Sequence, residues 1–157
     1  MKKIAVCPGS FDPITKGHLD VARRAVELFG ACRILVMNNP EKKYLLSLQD
    51  RYELCLAAVE GEEGISVDFS DGMLYSYLQG MKEPVIVKGV RSAEDFLYEK
   101  KQAEFNFAHC GVETLYLDAK PEFADLSSTL VREKIRAGED VSAYLPQNVV
   151  KLLKNKL

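Results

Sequence analysis

Residues 4–18 read Ile4-Ala5-Val6-Cys7-Pro8-Gly9-Ser10-Phe11-Asp12-Pro13-Ile14-Thr15-Lys16-Gly17-His18. The apolar run from Ile4 to Cys7 meets Pro8-Gly9, the pattern of a buried strand stopped by a turn. The period then changes. Leu19, Ala22, Ala25, Val26 and Phe29 recur at helical spacing, which predicts a helix with Thr15 as its N-cap and Gly30 as its terminator. A strand, a polar loop and a helix in that order make one βα unit.

The unit repeats. Ile34-Leu35-Val36-Met37 is a second apolar strand broken by Asn38-Asn39-Pro40, and residues 47–59 carry helical spacing through Leu48, Tyr52, Leu56 and Val59. Further strands are expected at 65–69, 85–87 and 114–117, with a long helix over 93–109 containing Phe96, Phe105 and Ala108. From residue 127 onward two helices are expected. One runs through Leu130, Val131, Lys134 and Ile135 and is closed by Gly138; the other is begun by Pro146 and contains Val149, Val150, Leu152 and Leu153. Alternating strands and helices, with strands apolar throughout, imply a parallel sheet covered on both faces and joined by right-handed crossovers. The expected fold is therefore α/β: a single Rossmann-like domain over residues 1–157, with a five-stranded parallel sheet and helices on both faces.

Composition narrows the partners. The chain has 157 residues, 47% hydrophobic and 28% charged, the balance of one globular unit. Twenty-one Lys plus Arg against 23 Asp plus Glu leave a formal charge of -2, so no nucleic-acid partner held by bulk positive field is expected. An anionic ligand must then be held by a local cationic cluster. Cys7, Cys32, Cys55 and Cys110 form no C-x-x-C pair, and His18 and His109 are the two histidines, so no structural zinc is expected. The apolar run after Lys2 and Lys3 is too short for a signal peptide, which points to the cytoplasm and reduced thiols. No run approaches the ~18 apolar residues of a membrane span, so no membrane partner is expected.

Ligands of open parallel sheets bind beyond the carboxyl ends of the strands, where chain order reverses. The loops after strands one, two and four are all polar. In the first, Gly9 permits close backbone approach and His18 falls in the first turn of a helix whose free N–H groups welcome phosphate. The second carries Lys42 and Lys43; the fourth is Lys88-Gly89-Val90-Arg91, with Lys88 placed where a charge needs solvent or an anion. Ser127-Ser128-Thr129 offers hydroxyls at another helix start, of which capping explains one. Each feature alone also fits an ordinary solvated loop, since Gly and Pro punctuate most βα turns and exposed lysines are usually hydrated. No G-x-x-x-x-G-K-[ST] occurs, and Gly61-Glu62-Glu63-Gly64 is not a G-x-G-x-x-G fingerprint, so Walker-type kinases and dinucleotide dehydrogenases lose ground.

Thr15-Lys16-Gly17-His18 matches the T/H-x-G-H signature of nucleotidylyltransferases. Together with K-G-V-R-S-A-E-D-F-L-Y-E from Lys88 and S-S-T-L-V-R-E from Ser127, it makes the chain resemble the phosphopantetheine adenylyltransferase family essentially end to end. The resemblance implies adenylyl transfer from ATP to 4′-phosphopantetheine, giving dephospho-coenzyme A and pyrophosphate, with Mg²⁺ as cofactor, in a homohexamer built as a dimer of trimers. By position it implies that Ser10, Lys42, Met73 and Lys88 bind phosphopantetheine. It assigns His18 to the ATP phosphates and the transition state. It places Ser10, Phe11, Gly89, Val90, Arg91 and Glu99 at the ATP site, completed by Phe123, Ala124, Asp125, Leu126, Ser127, Ser128 and Thr129. Ser10 stands where the family commonly has Thr, Lys88 where Arg is common, and Phe123 where some members have Trp. The hydroxyl, the charge and the aromatic face are kept, though Lys88 exchanges a bidentate fork for a point charge.

These residue types suit that reaction. A phosphate monoester, with its second pKa at about 6, is already a nucleophile at neutral pH and needs no protein base. What remains for the protein is to position two polyanions and neutralise the charge moving onto the α-phosphate and the departing pyrophosphate. At His18 the helix dipole lowers the pKa and phosphates raise it. The alternatives are a nucleotidylyltransferase with another acceptor, a regulatory module that holds ATP without turnover, and a flavodoxin-like carrier, which leaves the cationic rim unexplained.

Overall fold

In the computed structural model, five strands lie side by side, all parallel, in the order β3-β2-β1-β4-β5; the central three are largely apolar and buried, and the edge strand β3 alternates with polar residues. The described residues are 3–157, so the expected unit 1–157 includes two residues outside them. Their elements are β1 (Ile4–Gly9), α1 (Lys16–Phe29), β2 (Cys32–Met37), α2 (Leu48–Ala58), β3 (Ile65–Ser70) and α3 (Leu74–Gln79). They continue as β4 (Pro84–Val90), α4 (Ala93–Cys110), β5 (Thr114–Asp118), α5 (Ser128–Arg136) and α6 (Gln147–Lys156), with 3-10 turns at Pro121–Phe123 and Ser142–Tyr144. The five strands and the alternation are as expected.

Side chains alternate across the sheet. Ala5, Cys7, Ile34, Val36, Val85 and Val87 share one core with α1, α2, α5 and α6. Val6, Leu35 and Ile86 face the other way and pack under Leu78 of α3, with Leu74, Tyr77 and Cys110 around them. Thr15 caps α1, and Gly30 ends it at φ 84, its N–H donating to the Val26 carbonyl at 2.7 Å.

Three local expectations change. Pro8-Gly9 does not stop β1, because both residues stay in register with β2, Pro8 opposite Leu35 and Gly9 opposite Val36. The missing Pro8 N–H falls on the β4 side, where pairing ends at Val6 opposite Ile86. β1 and β4 therefore part before their carboxyl ends, at the point where strand order reverses. In α2 the buried face is Arg51, Leu54, Cys55 and Ala58; of the four residues that carry the helical spacing, Leu48 and Val59 pack at the edge of the core and Leu56 is exposed. In α4 only Asn106 is buried, and Phe96, Phe105 and Ala108 are exposed.

Gly89 marks the closest seat of α1 on the sheet. A Cβ added there would stand 2.7 Å from Cγ2 of Val21, a side chain stiff in a helix. Gly89→Ala is expected to cost about 1–3 kcal/mol of stability by overpacking, read as a lower urea midpoint. An unchanged midpoint would mean that α1 does not rest on β4 through this contact.

Candidate active site

The parting of β1 and β4 places the first loop beside the end of β4. Phe11 adopts a left-handed backbone (φ 49), uncommon for a residue with a Cβ, and its ring takes the space that Gly9 leaves, 3.2 Å from where a Gly9 Cβ would stand. Gly9 thus accommodates the loop's own ring. Phe11 is buried and meets His18 edge to face at 5.0 Å between ring centroids.

His18 is held by a reciprocal cap. Its backbone N–H donates to Thr15 Oγ1 at 3.4 Å, and the Thr15 N–H donates to His18 Nδ1 at 2.9 Å. Because Nδ1 accepts, the neutral ring carries its proton on Nε2, away from the cap. Burial and the positive charges of Lys88 and Arg91 push the imidazole down to about 4, well below its usual 6.5.

Lys88 bridges the strands. Its Nζ lies 3.2 Å from Glu99 Oε2 on α4 and donates to the Pro8 carbonyl at 3.4 Å. Arg91 is exposed, its backbone N–H donating to Asp95 Oδ2 at 3.1 Å. The third motif closes on the first: Ser128 Oγ donates to the Pro13 carbonyl at 2.8 Å, and Arg132 Nη1 to the Asp12 carbonyl at 2.9 Å. A Cβ on Gly17 would meet Phe123 at 3.7 Å and Leu126 at 3.8 Å, so residues 123–126 lie against the start of α1. Ser127 is the N-cap of α5 and Thr129 accepts from Arg132, so capping accounts for one hydroxyl of the three, as expected.

Ser10, Phe11, His18, Lys88, Gly89, Val90, Arg91, Glu99 and residues 123–129 thus gather at the carboxyl ends of β1 and β4 and the neighbouring helix starts. Lys42 stands apart, exposed on the loop after β2, its Nζ 5.9 Å from the Tyr44 ring centroid. Met73, the residue before α3, is half exposed, and none of the described hydrogen bonds or ion pairs joins it to the others. Position after a strand signals both residues; packing does not yet bring them in.

The sequence reading passed over three buried charges, Asp12, Asp20 and Arg51, of which the first and last lie behind the loops of the site. Asp12, 2% exposed, accepts from the Leu45 and Leu46 N–H groups at 2.8 and 3.0 Å. Arg51, 0% exposed, spreads its guanidinium over carbonyls of the loops after β1 and β2. The available signal was phase: Arg51 lies three and four residues before Leu54 and Cys55 on one helical face.

A cleft of about 460 Å³ borders this region through Lys16 and Phe123, but Asp20, Arg23 and Glu62 in its wall already pair with Lys120 or with each other. Among the described residues, no three His, Cys, Asp or Glu side chains are grouped to hold a metal ion, and no helix is long and apolar enough to cross a membrane.

Comparison with known proteins follows the same lines. The cytidylyltransferase-like family model matches residues 6–134. A phosphopantetheine adenylyltransferase of Paenarthrobacter aurescens is 44% identical over 150 residues, 95% of this chain and 90% of its own. That of Frankia alni is 42% identical over 156 residues, covering 97% and 96%, and that of Limosilactobacillus reuteri 39% over 156 residues, covering 99% and 90%.

Proposed function

The chain belongs to the cytidylyltransferase-like family and within it to the phosphopantetheine adenylyltransferases, and from that premise we propose how its residues divide the work. Its reaction is transfer of the adenylyl group of ATP to 4′-phosphopantetheine, a step of coenzyme A biosynthesis. A phosphate oxygen of 4′-phosphopantetheine attacks the α-phosphorus in line, the new P–O bond forms, and the bond to the β-phosphate oxygen breaks to release pyrophosphate. No proton has to move, because the attacking monoester is ionised at neutral pH. The protein's contribution is alignment and charge.

The observation that carries this reading is His18: its free Nε2–H is an uncharged, preorganised donor at the parting of β1 and β4, flanked by Lys88 and Arg91. In this proposal the donor meets the α-phosphate oxygens, where negative charge builds. Arg91 and the first amides of α5 take ATP, with Gly89, Val90 and residues 123–126 beside the nucleotide. Lys88 leaves Glu99 for the acceptor phosphate, which Ser10 and Lys42 hold from the other side, while Met73 lies along the acceptor's organic part. Mg²⁺ enters as part of the substrate MgATP, in keeping with an ion that retains its waters and binds through phosphates rather than a protein cage.

The homohexamer belongs to this proposal too. Supporting it, α4 exposes Leu97 (59%), Tyr98 (64%) and Phe107 (53%), and β5 exposes Leu115, large apolar side chains of the kind that subunit interfaces cover. Light scattering on the purified protein reads the assembly directly. The cytoplasm, where four thiols stay reduced, is the accompanying location.

The test is pyrophosphate release from ATP and Mg²⁺ with 4′-phosphopantetheine, nicotinamide mononucleotide or glycerol phosphate. Release with phosphopantetheine alone is expected; turnover with either rival and not with it would overturn the reading. Lys42→Ala is expected to raise the KM for phosphopantetheine roughly 10- to 100-fold, the worth of a charge-assisted contact, with a much smaller change for ATP. Equal weakening of both substrates would remove Lys42 from the acceptor phosphate.

A further inference from the structure

We propose that Arg51 is a positioning residue that holds Ser10 and the Lys42 loop at one fixed separation and so sets the acceptor-phosphate half of the site, an inference that rests on the assignment above. Its fully buried guanidinium draws on three separate stretches of chain. Nη1 donates to the Ser10 carbonyl at 2.9 Å and to the Met37 carbonyl at 2.8 Å. Nη2 donates to Asn38 Oδ1 at 2.6 Å, and Nε to the Leu46 carbonyl at 3.2 Å. The Tyr44 ring lies over the guanidinium carbon at 3.8 Å.

The Lys42 loop is seated on this group. Its inner bonds are Lys42 N–H to the Asn39 carbonyl at 3.0 Å, Glu41 N–H to Asn39 Oδ1 at 3.0 Å and Asn39 N–H to Tyr44 Oη at 2.9 Å. The loop is thus a closed turn whose two ends, Asn38 and Tyr44, both rest on Arg51. From the other side Asp12 accepts the Leu45 and Leu46 amides. Among the described residues no hydrogen bond joins Ser10 to Lys42; their loops are connected by the Arg51 fork, with Asp12 as a second tie.

Burying an arginine is unfavourable unless its donors are met, and burial here draws its pKa down from the usual value. A helix held only by its apolar face would not need this charge. Four acceptors from three stretches of chain match the planar, five-donor guanidinium, and a lysine ammonium with three donors on one atom cannot reach them all. Apart from Ser10, which the resemblance assigns to both substrates, none of the described Arg51 hydrogen bonds involves a residue placed around ATP. The effect of Arg51 should therefore fall mainly on the acceptor, whose Lys42 loop it seats.

The experiment compares Arg51→Lys, Lys42→Ala and the double variant, far below each melting temperature, by pyrophosphate release. For Arg51→Lys, a rise of ~10-fold or more in the KM for phosphopantetheine is expected, with the ATP KM within ~3-fold of wild type. In the double variant the rise should be less than the product of the single effects, because the contact being positioned is already gone. Equal changes for both substrates, full multiplication in the double variant, or a lowered Tm with wild-type KM values would each overturn the proposal. Should Arg51→Lys fail to fold, Tyr44→Leu removes the seat and keeps the guanidinium; a smaller rise for phosphopantetheine alone supports the inference, and no change refutes it. A wild-type enzyme inactive with phosphopantetheine would instead overturn the assignment beneath it.

Discussion

His18→Ala is expected to lower kcat by roughly 10²–10³, about 3–4 kcal/mol of transition-state stabilisation, as for loss of one preorganised oxyanion donor. The KM values should move far less, because the donor is strongest against charge that exists only as the α-phosphate reacts. The geometry gives the reason. Thr15 N–H occupies Nδ1, so Nε2 keeps its proton, and the reciprocal cap fixes the ring's direction before ATP arrives. The substitution also removes the cap's return contact, so stability is expected to fall modestly and kcat should be read well below Tm. A variant with wild-type kcat would end the assigned role.

The protonation state has a separate readout. With its pKa pushed down to about 4 in the free protein, the His18 ring should show no titration by NMR between pH 5.5 and 8. The unfolded chain takes up a proton near 6.5 that the folded protein refuses until about 4. The stability held in the neutral ring is therefore complete above pH 6.5 and is lost as pH falls through that window. A His18 titration near 6.5 in the free enzyme would show that the flanking cations and burial do not govern the ring. Bound ATP should raise the value, since phosphates oppose Lys88 and Arg91.

Local chemistry made much of this legible in sequence. Thr15 and Gly30 announce helix ends because caps depend on the residue at the end itself, and both stand where the pattern puts them; of Ser127-Ser128-Thr129, the first proves to be the cap. The apolar tetrapeptides gave the strands for the same reason. What distant packing decides was not legible. Pro8 stays in β1 because its missing donor faces the parting from β4, a fact about two strands 80 residues apart. The face of α2 is set by contacts with α6 and the sheet, so a helix whose apolar residues surround much of its circumference gave only the edge of the buried face, Leu48 and Val59, and not its centre. In α4 Phe96 and Phe105 mark the helix, but each meets one tyrosine edge to face, Tyr116 of β5 and Tyr75 of α3, and both stay exposed. The motifs of the site were visible one by one; their meeting, as in Ser128 on Pro13, was not.

Asp12→Ala should be the most destabilising change in the first loop, costing about 3–5 kcal/mol, the usual consequence of removing one partner from a buried charged network. At this chain length that corresponds to a Tm lower by roughly 6–20 °C. The loss has two parts. The Leu45 and Leu46 amides, both served by the one carboxylate, lose their acceptor, and the positive charges of Arg132 and Arg51 lose a buried carboxylate that offsets them. Asp12→Asn separates this from simple space filling. It keeps the volume but turns an NH₂ toward one of the two amides, so donor faces donor, and it too should lose most of the stability. If Asn were tolerated, the two amide bonds would not be what ties residues 45 and 46 to the first loop. The same change reaches function through geometry. Asp12 and Arg51 grip Leu46 by its N–H and its carbonyl, so loosening one frees the run-in to α2 and with it the loop that carries Lys42. At temperatures where Asp12→Asn remains folded, the activity lost should therefore appear first as a weaker hold on phosphopantetheine.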